Sequence, residues 1–189
     1  MPERHFYFFG IKHTMSRKLI LYIAMSLDGF IAKSDDDISF LSCVEKEGED
    51  YGYGEFIQTI DTVIVGRKTY EKIMTFGFNP HADKQLYVIS HTEQKSENNA
   101  IFFNGDLEIL LKDLKAKAGK NIFCDGGAEL VRSMLNKNLI DEMTISIVPY
   151  MLGNGIRLFK DTNIEKVLNL KSVKSFEKGL TQLHYVIPK

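Results

Sequence analysis

Thr62-Val63-Ile64-Val65-Gly66-Arg67-Lys68-Thr69-Tyr70-Glu71 is an apolar run that stops at a glycine and passes directly into two cations and a hydroxyl. The pattern reads as a buried strand feeding a helix through a glycine. A helix N-terminus offers unpaired N–H groups and the positive end of its dipole to an anion. Arg67 and Lys68 add full charges there, and Thr69 adds a donor. The segment therefore reads as a phosphate site, set against the plainer alternative that Arg67 and Lys68 are ordinary solvated residues of a first helical turn.

A second junction of the same kind follows later. Asn121-Ile122-Phe123-Cys124 is a short apolar strand candidate, and Asp125-Gly126-Gly127-Ala128-Glu129-Leu130 comes directly after it. Two glycines there let the backbone approach a ligand closely and take up dihedrals that a side chain forbids; the competing reading is a tight turn with a purely steric need for glycine. In open α/β sheets ligands gather at the carboxyl ends of strands, where both turns would lie, and the pair suggests a dinucleotide.

Leu19-Ile20-Leu21-Tyr22-Ile23-Ala24-Met25 is apolar without alternation, as a strand covered on both faces should be, and predicts a central strand. Ser26-Leu27-Asp28-Gly29-Phe30-Ile31-Ala32 follows. Asp28 at that strand end either faces a cleft or is a turn aspartate bonding to its own backbone beside Gly29. The stretch from Lys33 to Asp61 is polar and acidic, then places Tyr53, Phe56, Ile57 and Ile60 at helical spacing, which predicts a loop followed by an amphipathic helix. Gln85–Ile89 is another strand, ending in Ser90 and His91, and Ile101–Phe103 is a short one. Asp106 is a candidate N-cap for a helix carrying Leu107, Leu110, Leu111 and Leu114; Val131, Met134 and Leu135 give the helix after Gly127 its apolar stripe. From Glu142 the texture changes: Met143–Val148 is strand-like, and Leu168–Phe176 and Leu180–Ile187 flank Glu177-Lys178-Gly179 as a hairpin. Gly153-Asn154-Gly155 lacks the third glycine of a dinucleotide fingerprint and is expected to shape a loop. The sum is an α/β domain with a mainly parallel sheet and an antiparallel C-terminal hairpin.

The 189 residues suit one compact domain, with folded sequence expected over 16–189 and residues 1–15 as an N-terminal extension. The apolar Phe6–Phe9 within it is too short to span a membrane. A formal net charge of -1 gives no general attraction to nucleic acid or anionic lipid, so neither is expected as a partner. Cys43 and Cys124 have no metal-ligand spacing, which predicts no metal site and fits a reducing cytoplasm.

Four stretches together resemble the dihydrofolate reductase superfamily, and more closely its branch similar to the RibD C-terminal reductase domain of riboflavin biosynthesis. They are Ala24–Ala32, Val65–Glu71, Asp125–Leu130, and Asp141-Glu142 leading to Pro149, Gly153, Gly155, Leu158 and Phe159. The resemblance implies a three-layer α/β/α sandwich, NADPH as hydride donor, a small-molecule substrate and a homodimer. It also implies site residues: the backbone at Ala24 and Ile31 for the nicotinamide carboxamide, Gly66, Arg67, Lys68 and Thr69 for the adenosine phosphates, and Ser90 and His91 for the neighbourhood of the 2′-phosphate. Gly126, Gly127, Ala128, Glu129 and Leu130 would form the pyrophosphate turn, with a cis peptide between the two glycines.

The chain also departs from its relatives. It has no tryptophan, whereas folate reductases carry a Pro-Trp pair and then an acid on the first helix, and the acids from Glu45 to Glu55 match no such position. The H-x-E and P-C-x-x-C zinc-deaminase motifs are absent, so deamination is not expected. The implied function is hydride transfer to a small heterocyclic or ribosylamino-pyrimidine-type substrate, like that of a 5-amino-6-(5-phosphoribosylamino)uracil reductase, with Asp28 as substrate anchor or proton source. A dihydrofolate or pteridine reductase, and a dinucleotide-binding module without turnover, are the alternatives.

Overall fold

The computed structural model describes residues 16–92, 95–96, 99–160 and 162–189, so the extension expected over residues 1–15 lies outside the described residues. The chain runs β1 (Leu19–Ser26), β2 (Phe30–Ala32), a 3-10 helix (Ser39–Val44), α1 (Tyr53–Gln58), β3 (Ile60–Gly66), α2 (Arg67–Met74), β4 (Gln85–Ile89) and β5 (Ala100–Phe103). It continues with α3 (Leu107–Ala116), β6 (Asn121–Gly126), α4 (Ala128–Asn136), β7 (Glu142–Val148), β8 (Ile156–Arg157), β9 (Asn169–Ser175) and β10 (Thr181–Val186).

Eight strands form one sheet in the order β5-β4-β3-β6-β1-β7-β10-β9, parallel from β5 through β7 and antiparallel at the hairpin that ends it. β2 and β8 make a separate two-stranded ribbon. The central strands carry no hydrophobic alternation because both faces are covered. Ile64, Ile122 and Cys124 pack into the core beneath α3 and α4, while their neighbours Val63, Val65 and Phe123 pack on the opposite face with Tyr53, Phe56, Tyr70 and Ile73 of α1 and α2. Three layers result, as the family resemblance implied.

The two outer layers are sealed unequally. α3 and α4 each bury four residues, whereas α1 and α2 bury none completely, so the face under α1 and α2 is the one open to a ligand. The helix expected through Ile60 is shorter than its spacing suggested: α1 ends at Gln58, and Ile60 opens β3, where its side chain is buried. Burial against the sheet outweighed the helical periodicity. Asp106 caps α3 as predicted, accepting from Glu108 N at 2.6 Å and Ile109 N at 3.2 Å.

Candidate functional site

β3 and β6 are parallel neighbours, but the helices they feed go to opposite faces, α2 with α1 and α4 with α3. Two adjacent strands whose following helices part in this way leave a crevice beyond their carboxyl ends. The register pairs Val65 with Gly126, so the two glycine junctions of the sequence stand side by side there. A Cβ built on Gly66 would lie 3.6 Å from both Gly126 O and Gly127 N, and 3.9 Å from Leu130 Cβ. One built on Gly127 would lie 2.8 Å from Thr69 Oγ1, tighter than a side chain tolerates. Gly126 has φ +92, in the left-handed region that favours glycine, and the Gly126–Gly127 peptide is cis. The result is a backbone-walled cradle that side chains would fill.

The helix ends over the cradle differ from α3. Gly66 and Gly127 precede α2 and α4 without a side-chain cap, whereas Asp106 caps α3. The first N–H groups of α2 and α4 thus have no side-chain acceptor at the N-cap and, with the helix dipoles, suit an anion. Around them, Lys68 is without an ion-pair partner among the described residues, Arg67 pairs with Glu71 at 2.7 Å, and Ala128 is the first residue of α4. Glu129 turns outward to Arg132, so only its backbone serves the turn, and Leu130 is buried beneath it.

Ser90 and His91 follow β4 at the same edge, because β3, β4 and β6 run parallel, whereas Ala24 and Ile31 lie within strands. Ser90 follows β4, is buried, and spends its hydroxyl locally on Thr92 N and Thr92 Oγ1, each at 3.2 Å. His91 beside it is exposed. Ala24 lies in β1 opposite Ser146 of β7, and Ile31 lies in β2 and packs on the core side of α3 and α4.

Asp28 has a role that neither of its two sequence readings contained. Its Oδ1 accepts from Ser26 Oγ at 2.5 Å and Leu152 N at 3.1 Å, and its Oδ2 from Gly153 N at 2.7 Å. The Ser26 hydroxyl contributes most, the two loop amides add to it, and together they hold the carboxyl down at about 2. The carboxylate is thus held as a hydrogen-bond acceptor by the β1 turn and the loop after β7. Asp28 is a strut between the β1 turn and the loop after β7. Asp28→Asn should speed amide hydrogen exchange at Leu152 and Gly153 roughly tenfold or more. Unchanged exchange at both amides would remove the strut.

Sequence reasoning missed a buried histidine. His81, between α2 and β4, is 2% exposed and lies against the ring edge of Phe123, and its Nε2 is 2.8 Å from Asp125 Oδ2, the residue before the glycine turn. Nothing local in Asn79-Pro80-His81 signals more than a turn. It also missed a polar cleft of about 260 Å³ beside α1, floored by Tyr22, Thr144, Gln182 and His184. There Gln182 Nε2 donates to Tyr22 Oη at 2.9 Å and Ser146 Oγ at 3.1 Å. A cavity of about 490 Å³ lined by Leu135, Ile140, Met143, Phe159 and Ile187 contains none of the expected site residues. Among the described residues no cluster of His, Cys, Asp or Glu could hold a metal ion, and no helix is long and apolar enough to cross a membrane.

Comparison with known proteins places the chain in a family and a fold. Residues 17–182 match the model of the RibD C-terminal domain. The chain is 45% identical over 175 residues to the uncharacterized protein YwjB of Bacillus subtilis (strain 168), covering 91% of this chain and 99% of that one. A putative riboflavin biosynthesis protein from Shewanella sp. PV-4 superposes with a TM-score of 0.83 at 29% identity, over 91% of this chain and 99% of that chain. The diaminohydroxyphosphoribosylaminopyrimidine deaminase/5-amino-6-(5-phosphoribosylamino)uracil reductase of Thermotoga maritima superposes with a TM-score of 0.68 at 14% identity, over 92% of this chain and 57% of that one, a likeness of fold.

Proposed function

The chain belongs to the RibD C-terminal domain family, with a dihydrofolate reductase-like fold, and from that premise we propose that it is an NADPH-dependent reductase acting on a small heterocyclic or ribosylamino-pyrimidine-type substrate. The observation that carries this reading is the close approach of Gly66 to Gly126–Gly127 beneath two helix N-termini that lack side-chain caps. A dinucleotide has two phosphate groups to be held close to backbone, and the cradle offers two adjacent sets of N–H groups with glycines where side chains would intrude.

NADPH, when bound, supplies the hydride; the chain contributes binding, orientation and electrostatics. In this reading Gly126 to Leu130 hold the pyrophosphate by backbone, and Gly66, Arg67, Lys68 and Thr69 hold the adenosine phosphates. Ser90 and His91 border the 2′-phosphate, and the backbone of Ala24 and Ile31 orients the carboxamide. Asp28 fixes the loop over that end as an ionised acceptor. Positioning of this kind lowers the barrier by fixing the reacting geometry before the chemical step.

A thermal melt with NADPH and with NADH tests the reading before any substrate is known. At one hundred times its dissociation constant a ligand of the native state adds about 2.7 kcal/mol, which for a domain of this size should raise the melting temperature by roughly 5 to 10 °C. A rise with NADPH that NADH matches only at much higher concentration is expected. No rise with either nucleotide would sink the cofactor reading.

A further inference from the structure

The antiparallel half of the sheet carries polar side chains on a face that is covered. Along β7, Met143 and Ile145 belong to the core under α3 and α4, so Thr144 and Ser146 take the opposite face, and Gln182 of β10 stands opposite Ser146. An antiparallel sheet often leaves one face to solvent, where polar residues need no explanation. These three differ, being 7% (Gln182), 9% (Thr144) and 4% (Ser146) exposed. Gln182 and Thr144 line the polar cleft of about 260 Å³ beside α1, and the exposed Ser172 and Lys174 of β9 and Glu55 of α1 form its rim.

Gln182 is held with its acceptor free. Its Nε2 donates to Tyr22 Oη at 2.9 Å, Ser146 Oγ at 3.1 Å and Tyr51 O at 3.2 Å, and Tyr22 Oη donates to the same carbonyl at 2.8 Å. A backbone carbonyl only accepts, so the amide cannot be turned round, and Oε1 is left without a protein donor. Neither Gln182 Oε1 nor Thr144 Oγ1 bonds to a described residue, and neither is sealed from solvent, so both open on the cleft. At the rim Lys174 and Glu55, of opposite sign, have no ion-pair partner among the described residues. The cleft therefore offers a fixed acceptor, hydroxyls that donate or accept, and one charge of each sign. A phosphate or carboxylate is poorly matched by Glu55 and an acceptor carbonyl. A neutral group with several hydroxyls, each both donor and acceptor, pairs with all of them.

Its place in the sheet ties the cleft to the reaction. Ser146 stands opposite Ala24 and Gln182 opposite Ser146, so Gln182 lies two strands, about 10 Å, from the residue whose backbone is proposed for the carboxamide. Tyr22, which lines the cleft, is two residues before Ala24 and on the same face of β1. Whole ligand pockets run from about 300 to 1,000 Å³, so a cleft of about 260 Å³ suits one part of a small molecule. Resting on the reductase reading, we propose that the cleft is a substrate subsite separate from the dinucleotide cradle. Gln182 Oε1 and the Thr144 hydroxyl, with Ser172, Lys174 and Glu55 at the rim, recognise an uncharged, hydroxyl-rich group such as a ribosyl moiety.

The test uses the full chain with NADPH and two probes, a ribosylaminouracil and the diaminouracil that lacks its sugar. Binding is read by calorimetric titration and by the Thr144 methyl resonance in ¹³C-threonine NMR, beside the NADPH melt. The ribosylated probe should bind about tenfold or more tightly than the sugar-free one and should move the Thr144 methyl. Thr144→Val keeps the branched shape and removes only a hydroxyl that bonds to no described residue. It should melt like the parent, keep the NADPH-induced rise, and lose about tenfold in affinity for the ribosylated probe alone. Thr144→Ser keeps the hydroxyl and should retain that affinity, the reverse of the order a packing role gives. If NADPH raises the melting temperature but neither probe binds, or the sugar adds no affinity, or Thr144→Val binds like the parent, the inference is overturned and the reductase reading stands. If NADPH gives no rise while the ribosylated probe binds with this dependence on Thr144, the cleft stands and the reductase reading is overturned.

Discussion

Gly127→Val should abolish the rise in melting temperature that NADPH gives the unmodified protein, with affinity falling by on the order of a hundredfold, about 2.7 kcal/mol. The cause is local. Gly127 has φ -64 and ψ -173, extended backbone open to any residue, so the substitution strains neither of these two angles. What it does is put a branched side chain where even a Cβ would sit 2.8 Å from Thr69 Oγ1, filling the floor between the two helix N-termini. Thr69 can rotate away, so the fold should survive, and a melt without nucleotide within a few degrees of the parent would show that it has. Isothermal titration then reads the binding loss directly. A variant that still binds NADPH like the parent would take Gly127, and with it the backbone cradle, out of the cofactor site.

Phe123→Ala should carry the largest cost in stability. Phe123 is 1% exposed at the centre of β6, and its ring meets Phe56 edge-on at 5.0 Å, Tyr53 at 6.5 Å and His81 at 5.9 Å. Truncating a buried aromatic to alanine loses its transfer free energy and leaves a cavity, about 3 to 5 kcal/mol together. For a domain of this size the melting temperature should fall by roughly 6 to 20 °C, and urea unfolding should show a lower midpoint with the slope unchanged. The reason for a steep effect is that α1 is short and buries no residue fully, so Phe123 supplies much of what the helix packs against. A loss below about 1 kcal/mol would mean that the α1 side collapses into the gap and was never rigidly packed.

Where local pattern carried information, it survived into the structure. The unbroken apolar run from Leu19 became a strand flanked on both sides, because residues i and i+1 of such a strand must both find apolar cover. Asp106 capped its helix, and the segments around Glu177-Lys178-Gly179 paired as a hairpin, since caps and tight hairpins are decided within a few residues. The exception, Ile60, shows the limit of periodicity: its helical spacing lost to the burial offered by the sheet.

The residues that act across the sheet were not legible in this way. Asp28 alone looks like a turn aspartate, and it became a strut only because the parallel pairing of β1 with β7 brings Leu152 and Gly153 to its oxygens. His81 meets Asp125 across 44 positions of sequence, so no window along the chain contains both. The sequence by itself determined the elements, the α/β class, the two glycine junctions and the family they point to, all properties of short-range pattern. Only the tertiary structure decided that β6 inserts between β3 and β1. That insertion sets the two junctions side by side and aims the histidine at the aspartate, because strand order is settled by long-range packing that local propensity does not encode.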